Sequence, residues 1–196
     1  MRLFIAIQLD EEVKQALLSV QDAFRAQGVR GNYTPEENLH LTLAFIGEYP
    51  DPAEILEIME EIEFEPIRLE FGGIGSFHNL WWAGIQENEA LHVLVKRLRR
   101  ALSDVGIPYD RKKFRPHITL IRRPVTRGPH GSAPAELSDL ELPAASVSMT
   151  ADRVSLMLST RGKHGMIYTE LGAATAESSA AEQQEASVSD SAAHES

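Results

Sequence analysis

Two short strings in the chain share one pattern, His40-Leu41-Thr42-Leu43 and His117-Ile118-Thr119-Leu120. In a β-strand, residues i and i+2 point the same way while i+1 and i+3 point to the other face. Each string therefore offers an imidazole and a hydroxyl side by side, anchored by apolar neighbours. Two such strands opposed across a groove would gather two imidazoles and two hydroxyls around one small anion. In-line displacement at phosphorus calls for such a set, because water needs a general base and the departing oxygen a general acid on the opposite side. Histidine serves in either role near neutral pH, its unperturbed pKa being roughly 6.5. The threonine hydroxyls can stabilise charge on the non-bridging oxygens. His40 and His117 are thus the candidate catalytic residues, Thr42 and Thr119 the candidate substrate-binding ones, and hydrolysis of a cyclic phosphate the chemistry they suit.

That set needs no cofactor. A catalytic zinc site takes three protein ligands, and neither motif contains a His-x-His or His-x₃-His pair, so no metal is expected. The chain has no cysteine, which excludes disulfides, thiolate nucleophiles and thiolate-bound metals. His78, His92, His130 and His164 lie outside the motif and read as surface or structural residues.

Seven bases fall between residues 111 and 127 with no acid among them, bracketing the second motif. Arg115 and Arg122 are candidates to hold phosphate bidentately, and the remaining bases would draw a polyanion in from a distance. Trp81 and Trp82 are adjacent on a strand, so at most one can face a groove and stack a base, and core packing is the commoner role for such a residue. Gly72-Gly73-Ile74-Gly75 lacks the strand-to-helix setting and the lysine of a phosphate loop and reads as a turn or bulge.

The elements that must position these residues recur with an offset of 77, the separation of His40 from His117. In the first half, the β-rich segment 2–9 precedes a helix over 11–27 capped by Asp10, with Val13, Ala16, Leu17, Val20 and Phe24 on one face and Gly28 ending it. The strand 39–47 follows, with Leu39, Leu41, Leu43 and Phe45 expected on its buried side. In the second half a strand over 80–86 leads to a helix capped by Asn88, its face formed by Leu91, Leu94, Leu98, Ala101, Leu102 and Val105, and then to the motif strand 116–121. The repetition points to two β-α-β lobes related by a pseudo-twofold and facing a groove. Between them, Asp51 and Pro52 open a short helix. Further strands are expected at 64–72, 146–158 and 165–171, and the Pro- and Gly-rich segment 122–143 reads as one long surface loop.

With 196 residues and 43% hydrophobic composition the chain suits a single globular domain. Its formal net charge of −10 would disfavour a nucleic-acid partner if evenly spread, but residues 173–196 hold five acids and no Lys or Arg. The body, residues 1–172, therefore carries only half of that charge. The Ala/Ser/Glu tail 173–196 is expected to be disordered, since it cannot bury enough apolar surface to offset its ordering entropy. No run approaches membrane-spanning length and the N-terminal apolar stretch is short for a signal peptide, so the cytoplasm is the expected compartment. No apolar patch marks an obligate protein partner, and a monomer is expected.

The doubled motif, together with RLFIAIQL, ENLHLTLAFIGE, LWWAGI, FRPHITLIRRP and VSLMLSTRGKHGMIYTEL, resembles the two-histidine phosphoesterase superfamily, specifically its branch of LigT-like RNA 2′,3′-cyclic phosphodiesterases. The resemblance spans nearly all of residues 1–171. It implies an α+β fold with two pseudo-symmetric lobes of antiparallel sheet plus helices around a central groove, metal-free catalysis, and conversion of 2′,3′-cyclic phosphate ends of RNA, or of cyclic nucleotides, to 2′-phosphates. By the same analogy His40 is the proton donor to the leaving 3′-oxygen and His117 the proton acceptor from water. Many relatives carry a tryptophan shortly before the first motif, where this chain has Asn32-Tyr33, and the acidic tail has no counterpart in the family. Two alternatives use the same residues: a 2′,5′ RNA ligase joining tRNA halves, and a non-catalytic module that binds RNA ends.

Overall fold

The computed structural model describes residues 1–126, 136–143, 146–163 and 165–177. Its elements are β1 (Arg2–Gln8), α1 (Glu11–Ala26), β2 (Arg30–Tyr33), β3 (His40–Glu48), α2 (Pro52–Glu60), β4 (Ile67–Phe77), β5 (Leu80–Ile85), α3 (Glu89–Asp104), β6 (His117–Val125), β7 (Val147–Ala151), β8 (Arg153–Gly162) and β9 (Gly165–Thr175). All three helices start where the sequence places a cap. Asp10 accepts from the Val13 N–H, Asp51 from Ala53 with Pro52 in the first turn, and Asn88 from Leu91. At the other end of α1, Gly28 takes a φ of +81° that a side chain would strain.

The strands form two antiparallel sheets, ordered β3-β1-β8-β9 and β2-β6-β5-β4-β7. The expected strand at 146–158 is two strands broken at Asp152, since β7 joins the second sheet and β8 the first. Each motif strand pairs with the strand that opens its own half, and the two registers match: Gln8 opposes His40 and Ala6 opposes Thr42, while Gly84 opposes His117 and Trp82 opposes Thr119. The helices do not stay with their own halves, however. α1 packs on β6 and β7 of the second sheet, whereas α2 and α3 lie against the first. Phe24 of α1 meets Trp81 edge-on with ring centroids 5.2 Å apart. The two halves are thus interlocked lobes, each sheet roofed by a helix from the other half, rather than two self-contained β-α-β units.

Both motif strands carry the same bulge. Opposite β1, the pairing jumps from Thr42 to Ala44, and opposite β5 from Thr119 to Ile121, leaving Leu43 and Leu120 as the extra residues. Two successive side chains are then buried in each strand, Leu43 with Ala44 and Leu120 with Ile121. The alternation is shifted by one from there on. Phe45, expected in the core, is consequently turned out of it and is 36% exposed, and Arg122 occupies the same place 77 residues later. The segment 72–75 is also a bulge, with a register shift between Phe71 and Ile74 and a φ of +73° at Gly73.

Other expectations need correction. The edge strand β2 is short and polar (RGNY), so nothing in its pattern announces it. Residues 122–125 extend β6, and Leu137–Asp139 form a 3-10 turn, so 122–143 is not one loop; residues 127–135, with Arg127 and His130, lie outside the described residues. Val105 caps the end of α3 and is exposed rather than inward. The first five residues assigned to the tail belong to the body. β9 runs to Thr175, Ala174 is buried, and the N–H groups of Ala176 and Glu177 donate to Asp152 and Phe64. Small residues suit that strand because α2 covers it closely: a Cβ on Gly172 would stand 2.8 Å from the Leu56 side chain. Residues 178–196 and His164 lie outside the described residues.

Candidate active site

His40 begins β3 and is locked from both ends of its ring. A carbonyl can only accept, so Nδ1 carries the proton and donates to the Asn38 carbonyl at 2.8 Å, and Nε2 accepts from the Thr42 hydroxyl at 2.9 Å. Asn38 is itself buried, and its amide donates to the Met166 carbonyl, which ties the loop before the motif to β9. The ring packs against Phe4 and Tyr168, with centroids 4.9 and 5.3 Å away. Burial pushes the His40 pKa below the ordinary histidine value. The bond to Asn38 works against that shift, and the charges of Arg122 and His117 add to it. The lowered pKa favours the neutral ring, the form in which Nε2 accepts from Thr42.

His117 repeats the anchoring, Nδ1 donating to the Arg115 carbonyl two residues back at 2.6 Å. Its surroundings differ. Phe77 lies edge-on at 5.4 Å and Trp82 at 6.3 Å. The Trp82 indole rests over Gly75 and Gly84, where a Cβ would fall 2.2 and 3.1 Å from the indole carbons. Trp81 is the buried one of the pair, and Trp82 is the one whose ring meets His117.

The motif strands are clamped at their bulges by the crossed helices. From α1, the Gln21 amide donates to the carbonyls of Leu120 and Thr34, both at 2.9 Å. Arg99 of α3 makes the matching pair, to Leu43 at 3.3 Å and Lys112 at 2.8 Å. The two clamps are related by the pseudo-twofold, since Leu43 and Leu120 are 77 residues apart and Thr34 and Lys112 are 78 apart.

One cavity of about 710 Å³ brings together His40, Thr42, His117, Thr119 and Arg122, five of the six residues singled out from the sequence. Arg115 is not among them. Its guanidinium lies over the Phe77 ring, 5.5 Å from the centroid, in an adjoining groove on the other side of His117. The cavity walls also include Tyr33, which stands where many relatives carry a tryptophan, and Phe4, Phe45, Met166 and Tyr168, apolar or aromatic groups that the sequence reading did not place there. Alternation within β1, with Leu3, Ile5 and Ile7 facing the core, is the signal that could have assigned Phe4 to the groove. Tyr168 had none, because it depends on the register of β9 against β8. Among the described residues no group of three His, Asp or Glu side chains is placed to hold a metal ion. Nor is any helix among them long and apolar enough to cross a membrane.

The model of the 2′-5′ RNA ligase superfamily matches residues 9–163. An RNA 2′,3′-cyclic phosphodiesterase of Thermotoga maritima is 33% identical over 181 residues, covering 87% of this chain and 93% of that protein. One from Thermus thermophilus is 34% identical, covering 84% and 93% respectively. Among solved structures, a Thermus thermophilus protein superposes with a TM-score of 0.74 at 29% identity, covering 89% of this chain and 97% of its own. Escherichia coli LigT complexed with 3′-AMP gives 0.75 at 24% identity, covering 90% and 98%, a likeness of fold.

Proposed function

Because this chain belongs to the 2′-5′ RNA ligase superfamily of two-histidine phosphoesterases, we infer that it is an RNA 2′,3′-cyclic phosphodiesterase, a hydrolase that opens the cyclic phosphate at an RNA end. The observation that carries this reading is the meeting of two histidines, each held through Nδ1 by the carbonyl two residues back, on one cavity from two pseudo-symmetric strands. Such anchoring leaves Nε2 as the nitrogen of each ring that can transfer a proton, and at His40 the Thr42 hydroxyl must turn from Nε2 to the phosphate when substrate binds.

In the mechanism we propose, the cyclic phosphate sits between the rings with its non-bridging oxygens on Thr42, Thr119 and Arg122. His117 takes a proton from water as the oxygen attacks phosphorus. His40 gives a proton to the 3′-oxygen as its bond to phosphorus breaks, and a 2′-phosphate remains. The fold favours the neutral His40 ring, so it must be charged as the substrate binds. The anionic phosphate favours this by offsetting the positive field of Arg122, one of the causes that hold its pKa down. The same residues supply both proton transfers, so the reaction proceeds without a metal. We propose that the enzyme acts as a monomer in the cytoplasm.

Phosphorus NMR of a dinucleotide bearing a 2′,3′-cyclic end tests the reading directly. The cyclic resonance should be replaced by that of a 2′-phosphomonoester at an EDTA-insensitive rate. A persistent cyclic signal, or a 3′-phosphate product, contradicts it.

A further inference from the structure

Two grooves of unlike chemistry meet at the histidines. Thr42, Phe45 and His117 line both, so a phosphorus held between the rings faces each of them. One is the aromatic cavity already described. The other is walled by Arg99, Lys112, Lys113 and Arg115, with Phe77 and Phe114 between the cations. Its single acid, Asp110, is occupied by Lys112, whose Nζ lies 3.2 Å from a carboxylate oxygen. Arg99 is committed to backbone carbonyls. Lys113 and Arg115 make no side-chain hydrogen bond or ion pair among the described residues, and Arg115 rests over the Phe77 ring, leaving two cations without a carboxylate partner among those residues in a chain of net charge −10.

A ribose closed by a 2′,3′-cyclic phosphate has two remaining arms, the base on C1′ and the chain on C5′, at opposite ends of the furanose. The aromatic cavity suits the base, by stacking. The other groove, with four basic side chains on its walls, suits the phosphodiester that joins the terminal nucleotide to its 5′ neighbour.

Resting on the phosphodiesterase reading above, we propose that Lys113 and Arg115 form a subsite for the phosphodiester 5′ to the cyclic end, making the enzyme selective for oligonucleotides over cyclic mononucleotides. The groove on the far side of Phe45 would then set substrate length, while the shared histidines set the reaction.

The experiment compares a 2′,3′-cyclic mononucleotide with a trinucleotide ending in the same cyclic nucleotide. The wild-type chain should show at least a tenfold higher kcat/KM for the trinucleotide. That advantage should shrink with added salt, because a phosphate contact on a single strand contributes a slope of about −0.7 in log–log form. Lys113→Glu should reduce the trinucleotide-to-mononucleotide ratio at least tenfold. Equal kcat/KM for the two substrates, or a loss on Lys113→Glu that is the same for both, overturns the subsite while leaving the hydrolase intact. Failure to turn over either substrate instead removes the phosphodiesterase reading. Should Lys113→Glu not fold, the salt dependence of the wild-type ratio decides alone: a ratio indifferent to salt rules the subsite out.

Discussion

β3 and β6 share a motif, a bulge and a helix-borne clamp on the bulge carbonyl, yet they present different side chains to the groove. Past the bulge β3 turns out Phe45, which packs beneath the Arg2 guanidinium, whereas β6 turns out Arg122, whose charge reaches His40. Beside the motif, His40 is wedged between Phe4 and Tyr168, and its counterpart meets Phe77 and Trp82 at a more open position. The repeated backbone presents two identical groups to one cavity from pseudo-symmetric strands. The residues that break the repeat act on one of the groups: burial first, and the Arg122 charge after it, hold the His40 pKa below the ordinary histidine value.

The largest effect should come from attacking what the lobes share. His40→Ala and His117→Ala should each lower kcat by about 10²- to 10⁴-fold, and the double variant should be little worse than the poorer single one, because the two proton transfers belong to one transition state. The lobes should differ in stability. Emptying the part-buried site between Phe4 and Tyr168 should lower the melting temperature more than removing the His117 ring, whose anchoring bond is exposed. Activity measurements paired with thermal melts check both statements, and strict additivity of the two kinetic losses would mean that the histidines act in separate steps.

Much of this site was legible in the sequence because the signal was local. The pattern His-x-Thr-x reads on a strand without knowledge of anything beyond it, and its recurrence 77 residues later exposed the pseudo-symmetry. The caps Asp10, Asp51 and Asn88 were legible for the same reason. What failed was non-local. Strict alternation put Phe45 in the core, since a bulge is a property of pairing between strands and leaves no mark on one strand's own pattern. The crossing of α1 to the opposite sheet, the break at Asp152 and the continuation of β9 through its alanines depend equally on partners distant in the chain.

Next in size is the Phe45–Arg122 difference. Arg122→Ala should cost about ten- to a hundredfold in kcat/KM, the range of a charge-assisted bond to phosphate, whereas Phe45→Ala should cost several-fold through weaker binding. The arginine also bears on pH. The fold depresses the His40 pKa, so the neutral ring stabilises the native state fully above about 6.5, the unfolded value, and that contribution is lost as pH falls through the folded value. If His40 must be protonated to act, kcat/KM should decline as pH rises through the depressed pKa, which puts the alkaline limb for the free enzyme below about 6.5. Arg122→Ala should move that limb upward, and only part of the way back, because burial is the largest cause of the shift. Phe45→Ala should leave it in place. A limb that stays put in Arg122→Ala would assign the titration to another group.

The smallest effects should come from the clamps, where the lobes match most closely in geometry and differ in charge. Gln21 is 1% exposed and holds Leu120 and Thr34 through a neutral amide. Arg99 holds Leu43 and Lys112 from the edge of the cationic groove. Gln21→Leu should destabilise the protein by about 1–3 kcal/mol, since it leaves buried carbonyls short of a donor. Thr34 retains an N–H bond to Leu120 in that variant, so the bulge of β6 keeps one tie and kcat should fall only a few-fold. Arg99→Gln shortens the clamp of β3 and removes a positive charge, but water can reach the freed carbonyls from the groove, so its cost in stability should be smaller than that of Gln21→Leu. Both should leave the pH profile unmoved, because neither residue contributes to the His40 shift. Denaturant titration and a pH series on the two variants separate the alternatives: a clamp variant that shifted the alkaline limb would show that the bulge sets the proton affinity of the histidine as well as its position.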